Sequence, residues 1–285
     1  MTSTYQDLLQ HKRLGKSHSY DGQRVILYGL GIGLGFDPLD EGQLPFILED
    51  GLQVFPTFAS VATWNISFML DLGIDWSKLI HVAQAMEIHK AFRSSAQLLA
   101  DSRIVDVWDK PKQNATILTS ETSIKDADSG VVLANLQSTS LARDFRVEGA
   151  PTGRPSVAKM RPVRAHDHVV ALLTSPQVAL IYRLLGGGAK IHSTPSVARE
   201  QGFDGPIMHG LSTWGHACHA VVKAVGYGEI GRLKEFSASF KAPVYPGEEL
   251  TTHIWIEDAE VFFETWVMAR NQLVLADGRA RFALI

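Results

Sequence analysis

The chain has 285 residues, 45% of them hydrophobic and 20% charged, the balance of a globular protein with one large domain or two modest ones. A formal net charge of -3, without any long Lys/Arg run, excludes nucleic-acid binding by bulk charge. The single cysteine, Cys218, excludes an intrachain disulfide framework and a multi-cysteine metal site. The N-terminus lacks the basic-then-apolar order of a signal peptide. No apolar run reaches the roughly 18 residues of a membrane helix. The C-terminal Phe282-Ala283-Leu284-Ile285 is not a Ser-Lys-Leu address. These features predict a cytoplasmic protein without membrane or nucleic-acid partners, with the peroxisome left open.

From the N-terminus, Asp21 to Leu34 predicts a helix. Its Gly29, Gly31, Gly33 and Gly35 have the wrong spacing for a dinucleotide loop and fit close helix packing instead. Thr57 to Leu70 predicts a second helix. Strand-like runs follow at Gln97–Trp108, Ala115–Ile124 and Gly130–Ser140, with turns near Lys110-Pro111 and Asp128-Ser129-Gly130. Val147 to Arg164, rich in Gly, Pro, Arg and Ser, reads as a linker.

The plan then repeats. Ser175 to Leu185 predicts a helix with Ser175 as N-cap and Pro176 in the first turn, and Pro195 to Glu200 a short one. In Gly210–Val225 the apolar residues Leu211, Trp214, Ala217, Cys218, Val221, Val222 and Val225 recur at helical spacing. The period then falls to two at Phe236, Ala238 and Phe240, at Ile254 and Ile256, and around Phe263, Trp266 and Met268. Pro246-Gly247 and Asp277-Gly278 are turn signals. The periodicity gives α+β, twice: an N-terminal half (1–146), a linker (147–164) and a C-terminal half (165–285).

The run Tyr182-Arg183-Leu184-Leu185-Gly186-Gly187-Gly188-Ala189-Lys190-Ile191-His192 is followed by Gly202-Phe203, Pro206-Ile207 and His209-Gly210-Leu211. It resembles the active-site segment of the MaoC-like hydratases, also called hydratase 2, which read Tyr-Arg-Leu-Ser-Gly-Asp-x-Asn-Pro-Leu-His. The first half is similar to the same family at Ile26–Gly33, Asp37–Asp40, Glu49–Leu52, Pro56–Ala59, Gly73–Trp76 and Val105–Lys110. The resemblance implies a double hotdog, two repeats of a central helix wrapped by an antiparallel sheet, and a homodimer. It implies that the first half has lost its own catalytic loop and accommodates a long acyl chain.

Two positions depart from the family pattern. Gly187 stands where the family has its catalytic Asp, and Ala189 where it has Asn. In the family, that Asp and the His matching His192 hold a water across the double bond of an enoyl thioester. Glycine cannot move a proton, alanine cannot orient a water, and losing one member of a cooperating set costs orders of magnitude in rate. His192 remains as acid/base, since imidazole titrates near neutrality. The competing structural role is a loop histidine capping the Pro195 helix.

His209, Gly210 and Leu211 open a helix whose unpaired amides and positive dipole end suit a developing enolate; the resemblance assigns them to the oxyanion site, and helix capping uses the same geometry. Asp204 lies near in sequence, but relatives carry Asp there without catalytic duty. His216, His219 and Lys223 share a helix face. That face reads as a solvated or subunit-facing stripe, since His-x-x-His without a third ligand is weak evidence for metal. Relatives often have Arg at the position of His219, where it helps bind CoA phosphates, so the carrier could be CoA, a carrier protein or none. Tyr182, Asp204, His219 and Lys223 are thus the candidate substrate or carrier contacts, Cys218 is core, and neither metal nor cofactor is implied.

Three functions stay open: altered chemistry (dehydration, isomerisation or cyclisation) on an acyl-thioester or polyketide-like substrate, a true hydratase or dehydratase with a substitute acid, and a non-catalytic acyl-binding or partner subunit.

Overall fold

The structure, a computed structural model, describes residues 4–64, 67–153 and 160–283. In the first half these form α1 (Tyr5–Gln10), β1 (Lys12–Tyr20), α2 (Gly22–Gly31), α3 (Ala59–Ala62), α4 (Ser67–Leu70), β2 (Leu79–Ile88), β3 (Ala96–Lys110), β4 (Ala115–Asp126) and β5 (Val132–Arg143). In the second half they form β6 (His168–Leu173), α5 (Val178–Tyr182), α6 (Pro195–Glu200), α7 (Gly210–Val225), β7 (Leu233–Phe240), β8 (Glu249–Glu257), β9 (Glu260–Val267) and β10 (Gln272–Phe282).

All ten strands join one antiparallel sheet in the order β1-β3-β4-β5-β2-β7-β10-β9-β8-β6. The order is a palindrome of roles. Outward from the β2–β7 junction, β5, β4, β3 and β1 on one side match β10, β9, β8 and β6 on the other. The junction itself runs from Ala83↔Ser239 to Glu87↔Glu235. This is the double hotdog that the resemblance implies, an α+β fold in which a repeated plan is fused edge to edge.

α7 is the central helix of the second half. Leu211 through Val222 are all buried, so the helix is enclosed rather than amphipathic on a surface. Trp214 meets Phe236 of β7 at 5.1 Å, and Phe236 stacks on Phe263 of β9 at 4.9 Å. Each such fully buried ring is worth roughly 1.5–3 kcal/mol. The first half also holds α7, because Ser212 Oγ donates to the Gly31 carbonyl at 2.7 Å.

Several expectations are corrected by the structure. Thr57–Leu70 is not one helix: a 3₁₀ turn (Pro56–Phe58) and α3 end where Thr63 leaves helical geometry, and α4 follows; residues 65 and 66 lie outside the described residues. Among the described residues the first half therefore has no unbroken counterpart of α7. Ser175–Leu185 is a five-residue helix with a 3₁₀ turn at Arg183–Leu185; the Ser175 hydroxyl accepts from Gln177 N–H at 3.1 Å. Asp277-Gly278 is a bulge inside β10 rather than a turn. Asp277 has φ 55°, the register slips there against both neighbours, and a Cβ on Gly278 would fall 2.3 Å from the Phe263 carbonyl. The centre of the predicted linker, 154–159, and the last two residues, 284–285, lie outside the described residues.

Close packing does account for the glycine run. A Cβ on Gly29 would fall 2.8 Å from the Phe46 carbonyl, and one on Gly31 would fall 3.0 Å from Tyr182. Gly33 (φ 81°) and Gly35 (φ 78°) lie beyond α2 in left-handed backbone that L-residues avoid.

Candidate active site

Three segments of the second half converge: the Leu185–Gly188 loop, the 3₁₀ turn Lys190–His192, and the strand-like run Ile207–His209 that enters α7. His192 lies on a cleft of about 410 Å³ that is also lined by Pro176, Ala179, Asp204, Pro206 and Tyr245. It caps no helix, since Thr194 holds the N-cap position of α6.

The His192 ring is oriented by a backbone carbonyl. Nδ1 lies 2.9 Å from Ile207 O. A carbonyl only accepts, so Nδ1 carries the proton and Nε2 keeps its lone pair. Burial lowers the imidazole pKa below its usual value of 6.5, with the Ile207 carbonyl opposing. Among the described residues no carboxylate hydrogen-bonds to His192. Asp204 shares the cleft but is exposed, and its N–H donates to Tyr245 Oη at 3.3 Å.

Beneath His192 lies His209, with ring centroids 3.7 Å apart and planes 24° from parallel. His209 Nε2 donates to the Gly187 carbonyl at 3.0 Å, which leaves Nδ1 as a buried lone pair with no partner among the described residues. Burial, reinforced by His192, pushes the His209 pKa down to about 3. The two stacked rings are therefore neutral at physiological pH.

The loop is gripped from the far side by the first half. Arg24 of α2 donates to Leu185 O at 2.5 Å and to Val61 O at 3.1 Å. Gly186, at φ 123°, lies against Trp64, whose Cδ1 would be 3.1 Å from an added Cβ. At Ala189 the carbonyl accepts the His192 N–H at 3.2 Å, and its methyl offers no hydrogen bond.

Next to the imidazole pair, α7 begins. His209 is its N-cap, and the amides of Gly210 and Leu211 fall in the first turn, where intrahelical partners do not exist. The Phe240 ring covers Gly210 at 3.3 Å from where a Cβ would be. Tyr182 is 3% exposed and forms a wall, its ring 5.1 Å from that of His209; burial raises its phenol pKa further.

The remaining predicted residues fall elsewhere. His216 and His219 are 1% and 0% exposed, which overturns the solvated stripe. His216 Nδ1 donates to Ser212 O at 2.8 Å. His219 donates to Ile32 O at 3.3 Å and accepts from Tyr227 Oη at 2.9 Å. Both its nitrogens are committed, so His219 is not presented to a carrier phosphate. Lys223 pairs with Asp40 at 3.0 Å. Among the described residues no cluster of His, Cys, Asp or Glu is arranged to hold a metal, and no helix is long and apolar enough to cross a membrane.

Sequence reasoning missed Arg24, Trp64 and the stacking role of His209. Nothing in the spacing signals Arg24 or Trp64, which approach from the other half. His209 stood out only as a helix start.

A double hotdog with an imidazole beside the start of its central helix defines the class of MaoC-like hydratases and dehydratases. The MFE-2 hydratase 2 N-terminal domain matches residues 18–144, and the MaoC like domain matches residues 154–277. The chain is 34% identical to the enoyl-CoA hydratase ChsH3 of Mycobacterium tuberculosis, over 91% of this chain and 92% of that protein. It is 35% identical to the peroxisomal enoyl-CoA hydratase 2 of Arabidopsis thaliana, over 94% and 92%. A crystal structure of a MaoC-like dehydratase from Phytophthora capsici superposes with a TM-score of 0.84 at 26% identity, covering 98% of each chain. This chain belongs to the MaoC-like hydratase 2 family.

Proposed function

We propose that this chain is an acid/base enzyme acting on an acyl thioester or polyketide-like substrate, with His192 as the only group that moves the proton. The observation that carries the reading is the tautomer of His192: the Ile207 carbonyl holds the proton on Nδ1 and leaves Nε2 free as base. In a dehydration, Nε2 takes the C2 proton of a 3-hydroxyacyl substrate. The enolate oxygen accepts from the Gly210 and Leu211 amides. The same imidazolium returns the proton to the C3 oxygen as the C3–O bond breaks and water leaves. Delivered to another carbon instead, the proton shifts a double bond; an enolate closing on a second carbonyl is a cyclisation. None of these needs a water held by a carboxylate.

In this reading the C-terminal half (165–285) carries the chemistry. The N-terminal half (1–146) accommodates the acyl chain, and the unit is a homodimer. The names of the relatives favour a thioester; the burial of His219 leaves CoA, a carrier protein or a free acid as alternatives for the acyl carrier.

A second reading has one observation in its favour: Asp204 lines the same cleft as His192 and could replace the missing acid of an ordinary hydratase. The test is C2 proton exchange in D2O, alongside hydration and dehydration assays with short and long enoyl and 3-hydroxyacyl thioesters. His192→Ala is expected to lower exchange by about 10²–10⁴-fold. Hydration by wild type at rates typical of the family, lost in Asp204→Asn, would replace the first reading with the second.

A further inference from the structure

We propose that the free edge of β6 is a self-pairing surface: two copies of this chain join antiparallel along it, about a two-fold axis at Ala171, and carry the ten-stranded sheet across a dimer. The inference rests on the homodimer of the reading above, names where the two copies meet, and is independent of the chemistry at His192.

The two ends of the sheet differ. β1 and β6 are its outermost strands among the described residues, and an open edge offers unpaired N–H and C=O groups to another strand. The β1 edge is guarded. It carries Lys12, Arg13 and Lys16, its register slips between Arg13 and Lys16, and Gly15 has left-handed backbone at φ 64°. Charges and bulges of this kind oppose edge pairing. β6 has neither. It holds no lysine, arginine, proline or glycine, and its register on β8 runs unbroken from His168↔Ile254 to Leu173↔Glu249. Val169 and Leu173 are nonetheless 50% and 46% exposed, and Ala171 between them is exposed as well.

One register satisfies both the backbone and the side chains of this edge. Just past β6, the Thr174 N–H donates to Glu248 O at 3.1 Å. Backbone direction alternates along a strand, so the even-numbered residues of β6 bond to β8, and Val169, Ala171 and Leu173 aim their N–H and C=O groups away from it. A two-fold axis at Ala171 sets this residue opposite its own copy and Val169 opposite Leu173 of the second copy. All of these are hydrogen-bonded pairs of an antiparallel ladder, each exchanging two bonds. They also bring the exposed apolar side chains together on one face. At the ends, Asp167 meets Ser175 and His168 meets Thr174 of the second copy, so no charge meets its like. A slip of one residue would aim the free groups at groups already bonded to β8. Pairing β6 with itself closes after two copies, whereas β6 on a β1 edge would run on into a filament.

Sedimentation and cross-linking of the full chain test this. A six-residue edge makes an interface below about 1,200 Å², so the dimer is expected to dissociate in the range of about 1–100 µM. Ala171→Pro removes an outward N–H that β8 does not use; it should keep the urea midpoint and raise the dimer Kd about tenfold or more. Leu14→Lys, on the β1 edge, should leave association unchanged. Cross-linking reads the register without relying on the proline variant. The chain's single cysteine, Cys218, is buried, and the Cα spacing of a hydrogen-bonded pair suits a disulfide. Mild oxidation is expected to link Ala171→Cys into a dimer and to leave Val169→Cys unlinked, while Val169→Cys combined with Leu173→Cys links again. A dimer unaffected by Ala171→Pro, or equal linking of Ala171→Cys and Val169→Cys, would overturn the β6 interface and spare the homodimer. A monomer at every concentration up to about 100 µM would overturn both. If the register-specific link forms and no thioester is turned over, the functional reading falls and this one stands.

Discussion

Single residues decide what this site can do. The Ile207 carbonyl selects the Nδ1–H tautomer of His192, and that choice leaves the Nε2 lone pair unprotonated. Lys223 shows the opposite outcome. Its ammonium meets Asp40 at 3.0 Å in a half-exposed pair, where such contacts contribute about 0–1 kcal/mol. Lys223→Ala should accordingly lower stability by less than about 1 kcal/mol and leave the KM of any thioester substrate within about threefold, since the ammonium is already paired with Asp40. A larger rise in KM with kcat unchanged would return Lys223 to the list of carrier contacts.

At the level of elements, α7 shows packing overriding propensity. Gly215 sits mid-helix, where alanine gains about 1 kcal/mol of helix propensity. A Cβ there would fall 2.4 Å from Ile32 Cγ2 and 3.0 Å from Tyr28 Oη, and overpacking of this kind costs about 1–3 kcal/mol. Gly215→Ala is expected to destabilise by up to about 2 kcal/mol net in urea unfolding, the difference between those terms. Stabilisation would mean that α2 can retreat from α7. The bulge in β10 obeys the same logic more severely, because the obstruction at Gly278 is the Phe263 backbone carbonyl, which has no rotamer to give. The same closeness of α2 to α7 buries His216 and His219, whose periodicity alone read as a polar face.

For the whole molecule, three histidines among the described residues are enclosed as neutral rings. Burial pushes His216 down to about 4 and His209 and His219 down to about 3, against about 6.5 in the unfolded chain. With folded values depressed, the unfolded state takes up protons first. The stability they allow is complete above pH 6.5 and is lost as pH falls toward 4 and 3, at roughly 1.4 kcal/mol per pH unit for each ring. Unfolding by acid is expected to be cooperative and complete before pH 4, read by circular dichroism, with His219→Gln lowering the proton uptake by about one. A stability flat from pH 7 to 4.5 would contradict the burial of these rings. The fusion through β2 and β7 makes a second whole-molecule prediction. Residues 165–285 alone would expose the β7 edge and the α7 face that Gly31 and Ile32 cover, so that fragment should aggregate or dimerise rather than fold as a monomer, as sedimentation would report.

Much of this protein is local and was legible in the chain. The helix Gly210–Val225, the strands β3, β4 and β5, and the motif from Tyr182 to Leu211 each announce themselves through a period or a contiguous pattern, because nearest-neighbour geometry sets both. The substitutions Gly187 and Ala189 were equally plain. What the tertiary structure decided is everything that depends on a surface arriving from far along the sequence. β1, β2 and β6 are strands because a neighbour pairs them, and the Thr57–Leu70 pattern breaks into short helices despite its apolar spacing. Arg24 and Trp64 reach the Leu185–Gly188 loop from the other half. His209 becomes a partner of His192 only when two distant turns stack, a contact that no spacing along a chain encodes.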